Sequence, residues 1–365
     1  MVVKPGMEAD WAYCEQALLD VSRTFSKPIE LLPEPLKVAL TLGYLLCRAV
    51  DTVEDYAPLT GAERDELFST FIAVLDNAVP AEKFSQAFAS AQDDNAEIRL
   101  ARSLPRVMRV FDSQEAATRR ATVAWVTEMA NGMRLYCRRD RQGALTALGT
   151  FSDLERYCYF VAGTVGHLIT DLFAEHMQAT ASPLEHKLRA RAESFGIGLQ
   201  MVNILKDVTE DYARNRCYVP RELCHAQGFA PERLLNAEHR RAAHRALACM
   251  FESAGRHLDD ALEYTLLIPA KEVQLRLFCL LPLWMAQRTL LVAVGNDAVL
   301  TPDKPVKITR EAVDDIIEDC LRHANDDAAL RRRYGTVSAE FKERLATLIP
   351  ASRPRAASAE GYARI

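Results

Sequence analysis

The sequence predicts an all-α protein whose helices form one large domain. Residues that favour helices dominate, strand-like alternation is scarce, and only 15 of the 365 residues are glycines. Prolines fall mostly where helices are expected to begin or end, as at Lys27-Pro28, Ser182-Pro183 and Ile349-Pro350. No Gly/Ser-rich linker or fixed repeat divides the chain. We therefore expect about a dozen helices in one domain over 1–350, and a disordered tail over 351–365.

Composition excludes several classes of protein. The net charge of −5 and the pI of 6.0 argue against a nucleic-acid partner. Nine scattered cysteines form no CxxC pair, which predicts buried thiols in a reducing cytosol rather than a disulfide framework. The N-terminal segment has no apolar signal core, so we expect a cytoplasmic protein.

The longest apolar stretch, 275–294, is predicted to be a buried core helix and not a transmembrane anchor. Arg276, Pro282, Gln287 and Arg288 interrupt it, so it falls short of the ~20 apolar residues that span a bilayer. Peripheral contact with the inner face of the membrane remains an alternative.

Three segments match the pattern D-x-x-E-D, beginning at Asp51, Asp207 and Asp315. One such match is expected by chance in a chain this acidic, so the surroundings must separate them. The third match lies on an amphipathic helix, and its carboxylates are expected on the solvated face. The predicted apolar stripe of that helix is Val313, Ile316, Ile317, Cys320 and Leu321.

The first two motifs follow helices that are apolar nearly all round, which predicts burial. On the first helix the polar exceptions, Tyr44, Arg48, Asp51 and Asp55, step by three or four and share one face. The second repeats this arrangement with polar residues that also step by three or four, namely Gln200, Asn203, Asp207 and either Glu210 or Asp211. Buried carboxylates are costly without partners, so two such stripes fit a cavity in which they share metal ions.

Magnesium is the expected metal, because it prefers oxygen ligands and is commonly held by carboxylates together with substrate phosphates. No His/Cys grouping suggests zinc, and no P-loop motif is present. The alternative is a pair of buried salt-bridge networks, in which Arg48 and Lys206 neutralise their acidic neighbours.

Basic and aromatic residues beside these motifs suit a phosphate-bearing substrate. Ser22-Arg23-Thr24-Phe25-Ser26 offers hydroxyls and a guanidinium, and Arg48, Lys206 and Arg216 lie next to the acids. In the segment 157–166, the small residues at 162, 163 and 166 would let a helix or a ligand approach closely. Its tyrosines are either core aromatics or groups that act beside a carbocation.

The chain resembles the squalene/phytoene synthase family, and most of all the squalene synthase branch in a soluble, bacterial-type form. The matching segments are SRTFS (22–26), YLLCRAVDTVED (44–55), YCYFVAGTVG (157–166), LQMVNILKDVTEDYARNRCYVP (199–220) and FCLLPLWMA (278–286). The resemblance implies a single isoprenoid-synthase helical domain with a central active-site cavity. It also implies head-to-head condensation of two farnesyl diphosphates to presqualene diphosphate, followed by reduction with NADPH to squalene.

The resemblance also implies roles for particular residues. The implied Mg²⁺ ligands are Asp51, Glu54, Asp55, Asp207, Glu210 and Asp211. The implied catalytic residues are Tyr157, Arg48, Lys206 and Arg216. The implied substrate-binding residues are Ser22, Arg23, Thr24, Phe25, Tyr44, Gln200 and Asn203. The candidate residues for NADPH are Phe25, Asn203, Lys271 and Arg276.

The sequence departs from the family pattern at two places. Lys206 stands where squalene synthases usually have arginine, and no glycine pair precedes Arg216. Two alternatives remain open. One is a non-reductive synthase of the phytoene or dehydrosqualene type, and the other is a catalytically inactive family member that acts as a scaffold.

Overall fold

A computed structural model describes residues 3–22, 24–56, 58–139 and 144–349. Within these ranges the protein is almost entirely helical, which confirms the predicted all-α class, although the helices outnumber the expected dozen. The α-helices are α1 (Glu8–Val21), α2 (Ser26–Glu30), α3 (Leu36–Asp55), α4 (Gly61–Leu75), α5 (Ala81–Gln86), α6 (Ala96–Arg102), α7 (Leu104–Asp112), α8 (Ala116–Cys137), α9 (Phe151–Cys158), α10 (Thr164–His176), α11 (Pro183–Lys206), α12 (Val208–Ala213), α13 (Arg221–Ala226), α14 (Arg240–Leu267), α15 (Val273–Ala293), α16 (Arg310–His323) and α17 (Asp327–Ala346).

Shorter elements complete the described fold. A π-helical turn, Tyr159–Gly163, joins α9 to α10, and 3₁₀ turns lie at Pro231–Arg233, Ala237–His239 and Asp297–Leu300. Buried residues from α1 through α17 form one hydrophobic core cluster. The exact domain limits, 1–350, stay a prediction, and the predicted tail over 351–365 lies outside the described residues.

Local sequence explains where several helices begin. Thr60 and Glu63 form a reciprocal capping box at the start of α4, in which each side chain satisfies a backbone N–H. Ser182 caps α11 and Pro183 occupies its first turn, so the boundary predicted there is confirmed. The boundary predicted at Lys27-Pro28 is the start of the short helix α2, which begins at Ser26 and holds Pro28 in its first turn. A first-turn proline is tolerated there since that turn has no intrahelical acceptor for its N–H.

Helix α15 crosses the core, as the sequence predicted. It is long and apolar enough to cross a membrane, yet 83% of its most apolar 18-residue window is buried within the protein. Pro282 lies inside this helix and is buried. Eight of the nine cysteines are buried as well, which confirms the prediction of core thiols.

Close packing at small residues brings α10, the π-helical turn and α11 together. A Cβ atom added at Gly166 would lie 2.0 Å from the carbonyl oxygen of Ala192, and one added at Gly196 would lie 2.1 Å from that of Ala162. These separations are far below van der Waals contact, so the backbones approach only because both positions are glycine. The predicted close approach at 162, 163 and 166 is therefore confirmed as helix packing.

Replacement of Gly196 should test this packing. We expect Gly196→Ala to lower the free energy of unfolding by about 1–3 kcal/mol, because the backbones of α11 and the π-helical turn must separate. Gly335→Ala is the control, since Gly335 lies in α17 with no atom within 4 Å of an added Cβ, and alanine there should be neutral or stabilising. Chemical denaturation measures both changes, and equal stability of the two variants would contradict the packing account.

Two short strands hold the loop after α12 in place. Thr146–Ala147 pairs in parallel with Arg216–Cys217, in the register Thr146 to Arg216 and Ala147 to Cys217. The Thr146 N–H donates to the Asn215 carbonyl at 2.9 Å. This pairing fixes the backbone of Arg216, which the sequence had marked as a candidate site residue.

Candidate active site

A polar cavity of about 510 Å³ lies where the C-terminal ends of α3 and α11 meet. Both predicted acidic motifs line it. The lining includes Thr24, Arg48, Asp51, Glu54, Asp55, Met133, Tyr157, Val161, Gln200, Asn203, Ile204, Lys206, Asp207, Asp211, Arg214, Arg216 and Tyr218. The structure therefore brings together residues that are up to about 190 positions apart in the chain, as the two polar stripes predicted.

The first stripe runs along α3 as predicted. Tyr44, Arg48 and Asp51 are half-buried and Asp55 is exposed, whereas the residues between them are buried. Solvent reaches 31% of the Asp51 side chain through the cavity. The Arg48 guanidinium lies 3.7 Å from Asp51 and donates to Glu97 of α6 at 2.8 Å. Part of the predicted salt-bridge network therefore exists around Arg48.

The second stripe bends at Asp207. Helix α11 ends at Lys206, and α12 begins at Val208 after Asp207 leaves the helical conformation. The Asp211 N–H still donates to the Asp207 carbonyl at 2.9 Å, which keeps both aspartates on the cavity side. Glu210 is exposed and lies outside the cavity lining, so Asp211 is the residue that continues the stripe.

The cavity accumulates negative charge. Burial raises the pKa of Asp51 to about 8, and the charges of Asp55 and Glu54 add to this effect while Arg48 opposes it. Burial likewise raises the pKa of Asp211 to about 7, with further contributions from Asp207 and, across the cavity, Asp55. The two motifs thus face each other closely enough for their charges to interact, and the site favours a cation.

The donor set fits magnesium bound together with a phosphate ligand. Within the described ranges, no three His, Cys, Asp or Glu side chains converge on a point that would hold a metal by themselves. The aspartates instead form two pairs, Asp51 with Asp55 and Asp207 with Asp211, on opposite walls. Mg²⁺ is commonly held by one or two carboxylates, with water and substrate phosphates as its other ligands. Such pairs would hold it once a diphosphate is present.

Glu54 takes a different place from the one predicted. Its side chain is 7% exposed, and Oε1 forms a close ion pair with Arg216. Arg216 also donates to the Glu54 carbonyl at 3.3 Å, and the Tyr157 hydroxyl lies 3.5 Å from Oε1. Glu54 is buried and paired with Arg216, and Glu210 lies outside the cavity lining, so we take the four aspartates, which line the cavity and are open to solvent, as the main candidate metal ligands. The same role for the two glutamates stays a prediction.

The predicted phosphate-binding residues divide into two groups. Thr24, Arg48, Lys206 and Arg216 line the polar cavity, and Lys206 forms a close ion pair with Asp207. Ser22 does not line it, because this residue is buried and its Oγ accepts the Phe25 N–H at 3.0 Å to hold the turn before α2. Arg23 lies outside the described residues.

The polar cavity opens into an apolar one of about 220 Å³. Asp51, Val161, Gln200 and Asn203 belong to both linings and form the junction. Beyond it the walls are apolar, from α2, α3, α10, α11 and α15, and include Phe25, Ile29, Tyr44, Leu168, Phe195, Leu199, Phe278 and Pro282. A ligand with a charged head and a long hydrocarbon tail matches this division of the site.

The comparisons with known proteins agree with this geometry. A family model described as squalene/phytoene synthase matches residues 18–312, which is most of the chain. The chain belongs to this family. The predicted resemblance is thereby confirmed, and the family's helical isoprenoid-synthase fold is the fold observed.

Several relatives and structures of the family are similar to this chain. A squalene synthase of Cochliobolus lunatus is 28% identical over 323 residues, covering 88% of this chain and 74% of the relative. A squalene synthase of Botryococcus braunii is 30% identical over 318 residues, covering 84% of this chain and 64% of the relative. The match to the squalene synthase of Schizosaccharomyces pombe covers 62% of that relative's length.

Solved structures of the family share the fold. TcSQS in complex with the ligand BPH1237 superposes with a TM-score of 0.77 at 24% identity, covering 95% of this chain and 94% of that one. A dehydrosqualene synthase in complex with a ligand gives a TM-score of 0.57 at 21% identity, covering 87% and 97%.

Among the residues predicted for a nicotinamide cofactor, the structure separates two pairs. Phe25 and Asn203 line the apolar cavity beside Phe278, and their contact with a cofactor stays a prediction. Arg276 is 1% exposed and donates to the carbonyls of Ile268 and Ala324 and to Asp327. These bonds join the end of α14 to the start of α17. The predicted contact between Arg276 and cofactor phosphates is therefore wrong. Lys271 is exposed and outside both cavity linings.

The third acidic match lies away from the cavity, as predicted, but its helix is not the expected simple stripe. Ile316 and Cys320 of α16 are buried, whereas Leu321 is 56% exposed. Asp315 and Glu318 face solvent. Asp319 is 10% exposed and pairs with Arg333 of α17, so one of the three carboxylates is structural rather than solvated.

Sequence reasoning missed two polar residues of this family's site in the described chain. Arg214 lines the polar cavity, and Tyr218 lies with its hydroxyl 2.9 Å from that of Tyr157 and its ring stacked on it at 4.7 Å. Both follow the second motif within a few residues. Their closeness in sequence to Arg216 was the available signal, although no periodic pattern marks them.

Proposed function

We propose that this protein condenses two molecules of farnesyl diphosphate head to head in a magnesium-dependent reaction, with presqualene diphosphate as the first product and squalene as the final one after reduction by NADPH. The observation that carries the proposal is the joined cavity, in which facing aspartate pairs stand at the mouth of an apolar pocket. The similarity to squalene synthases supports the same activity.

The polar cavity would bind and orient the diphosphates. Arg48, Lys206, Arg214 and Arg216 supply positive charge around the aspartates, and arginine suits bidentate contact with phosphate. When bound, Mg²⁺ would neutralise the charge that develops on a departing diphosphate. The pairing of Arg216 with Glu54 and of Lys206 with Asp207 holds both cations at the cavity wall before substrate arrives.

The apolar cavity would bind prenyl chains and exclude water from the allylic cation. Tyr157 lines the polar cavity four residues before Val161 of the junction. Burial, followed by the nearby Glu54 charge, raises the pKa of its phenol well above the usual value. The hydroxyl therefore stays protonated at neutral pH. We assign it the transfer of the proton that is lost as the cyclopropane closes: its oxygen would accept that proton while its own proton passes to Glu54 Oε1, 3.5 Å away.

We place the enzyme in the cytoplasm because its substrate, farnesyl diphosphate, is charged. Because squalene carries no charge, we also propose peripheral contact with the inner face of the membrane. In the described chain, the helix that is apolar enough to cross a membrane, α15, is mostly buried in the core. Contact with a membrane would therefore involve surface residues of the protein.

A non-reductive activity is the specific alternative to the step that uses NADPH. With Arg276 committed to the fold and Lys271 outside the cavity linings, only Phe25 and Asn203 remain as candidate cofactor contacts. A non-reductive synthase of the dehydrosqualene type would need neither lysine nor arginine there. An inactive scaffold is disfavoured, because all four candidate metal-binding aspartates are present in the cavity.

Supply of NADPH separates the two synthase activities. With farnesyl diphosphate and Mg²⁺ alone, we expect presqualene diphosphate and its rearranged alcohols, and addition of NADPH should convert the output to squalene. Product identification by mass spectrometry after phosphatase treatment measures this. A hydrocarbon formed equally well without NADPH would favour the non-reductive enzyme.

A further inference from the structure

Tyr218 forms a partly buried pair with Tyr157 at the wall of the polar cavity. The two hydroxyl oxygens lie 2.9 Å apart, and the rings stack with centroids 4.7 Å apart at 26°. Tyr136 packs edge-on against the other side of Tyr157 at 5.2 Å. The Tyr157 ring is thereby held on two sides, and its hydroxyl meets a second phenol rather than solvent.

Either phenol could donate across this contact, and the surrounding donors and acceptors favour donation from Tyr218. Arg216 Nη1 donates toward the Tyr218 oxygen at 3.4 Å, while Glu54 Oε1 accepts from the Tyr157 hydroxyl at 3.5 Å. Since the Tyr157 proton is directed to Glu54, the proton between the phenols comes from Tyr218. The order is therefore Arg216 to Tyr218 to Tyr157 to Glu54.

We infer that Tyr218 is a positioning residue for Tyr157, which orients the Tyr157 hydroxyl for its part in the first half-reaction. A phenolic proton prefers the plane of its ring and has two orientations in that plane. Donation from Tyr218 occupies one side of the Tyr157 oxygen and leaves the proton on the Glu54 side. Without that donor, the ring would keep its stacking but the hydroxyl would lose its fixed orientation.

This inference rests on the proposed condensation and adds a residue to it. The competing role for Tyr218 is a direct hydrogen bond to a substrate diphosphate, because its hydroxyl also lines the polar cavity. The two roles differ in what they change. A positioning role changes turnover and depends on Tyr157, whereas a direct contact changes substrate binding and is independent of Tyr157.

A double-mutant cycle tests the inference. Tyr218→Phe, Tyr157→Phe and the double variant are compared in the rate of presqualene diphosphate formation from farnesyl diphosphate and Mg²⁺. We expect Tyr218→Phe to lower kcat by about tenfold, the size of one well-placed hydrogen bond, and to leave KM within about twofold. The double variant should be no slower than Tyr157→Phe alone, because residues that act as a unit are not additive.

Tyr264→Phe is the matched control. Tyr264 is fully buried, and its hydroxyl lies 3.0 Å from that of Thr170, away from the polar cavity lining. This variant should retain the wild-type rate. If Tyr218→Phe proves less stable in thermal denaturation, the cycle is run at a lower temperature at which all variants are folded, so that the rates still measure the coupling of the hydroxyls.

Three results would overturn the inference. They are a wild-type rate in Tyr218→Phe, a rise in KM with kcat unchanged, and a loss in the double variant equal to the product of the single losses. Failure of the wild-type protein to form presqualene diphosphate is a different result, which would overturn the proposed function itself.

Discussion

Asp51→Ala and Asp207→Ala should each reduce turnover of farnesyl diphosphate by about a hundredfold or more, roughly 3 kcal/mol of barrier. Asp51→Ala removes one carboxylate of the Asp51–Asp55 pair, and Asp207→Ala removes one of the Asp207–Asp211 pair. In each variant the affected pair loses half of its oxygen donors. Steady-state release of inorganic diphosphate, measured over a range of Mg²⁺ concentrations, gives the size of the effect. A higher Mg²⁺ requirement in both variants would link the loss to metal binding.

Asp315→Ala is the matched control for these two variants. Asp315 opens the same D-x-x-E-D pattern, but it lies exposed on α16 and outside the cavity. We expect its turnover and its Mg²⁺ requirement to match those of the unaltered protein. Equal inactivity of all three variants would contradict the separation of the motifs.

Tyr157→Phe should slow the first half-reaction by about a hundredfold or more, the typical contribution of a positioned acid–base group. The ring stays packed between Tyr136 and Tyr218, so only the hydroxyl and its bonds are lost. Thermal denaturation should show an intact fold, and single-turnover analysis should show that presqualene diphosphate accumulates more slowly by the same factor.

Tyr159→Phe controls for the loss of a phenol nearby. Tyr159 lies two residues further along, and its hydroxyl donates to Glu128 at 2.5 Å rather than into the polar cavity. This variant should retain the wild-type first half-reaction. Normal formation of presqualene diphosphate by Tyr157→Phe would return Tyr157 to the role of a core aromatic.

The sequence predicted the core of the site because periodicity decides which side chains share a helix face. Polar residues every three or four positions on otherwise apolar helices can only face a cavity or a buried partner. The stripes headed by Tyr44 and Gln200 follow this rule, and both reach the observed cavity. Asp51 and Asp207 follow apolar helices, whereas Asp315 lies on an amphipathic one. This difference distinguished the two acidic motifs that line the cavity from the one on a surface helix.

The errors concern residues whose role depends on partners distant in sequence. Arg276 resembles a surface charge or a phosphate contact, yet it is buried against the carbonyls at the end of α14. Glu54 belongs to an acidic motif, and the sequence did not predict that its Oε1 atom pairs with Arg216, although its role as a metal ligand stays a prediction. Neither partner can be deduced from spacing along one helix.

Irregular backbone was also beyond prediction. The π-helical turn at Tyr159–Gly163 widens the chain beside the cavity, and the Thr164 hydroxyl donates to the Phe160 carbonyl at 2.8 Å there. Tyr218 reaches the cavity only because the short parallel strand pair holds the preceding residues, Arg216 and Cys217. Two-residue strands leave no alternating pattern in a sequence.

The most direct test of the central claim is the product formed from farnesyl diphosphate and Mg²⁺ in the absence of NADPH. The account predicts presqualene diphosphate and its rearranged alcohols, with one inorganic diphosphate released for each presqualene diphosphate formed and a second for each alcohol, and no reaction when EDTA removes the metal. Formation of farnesol alone, or condensation that is unchanged by EDTA, would contradict it.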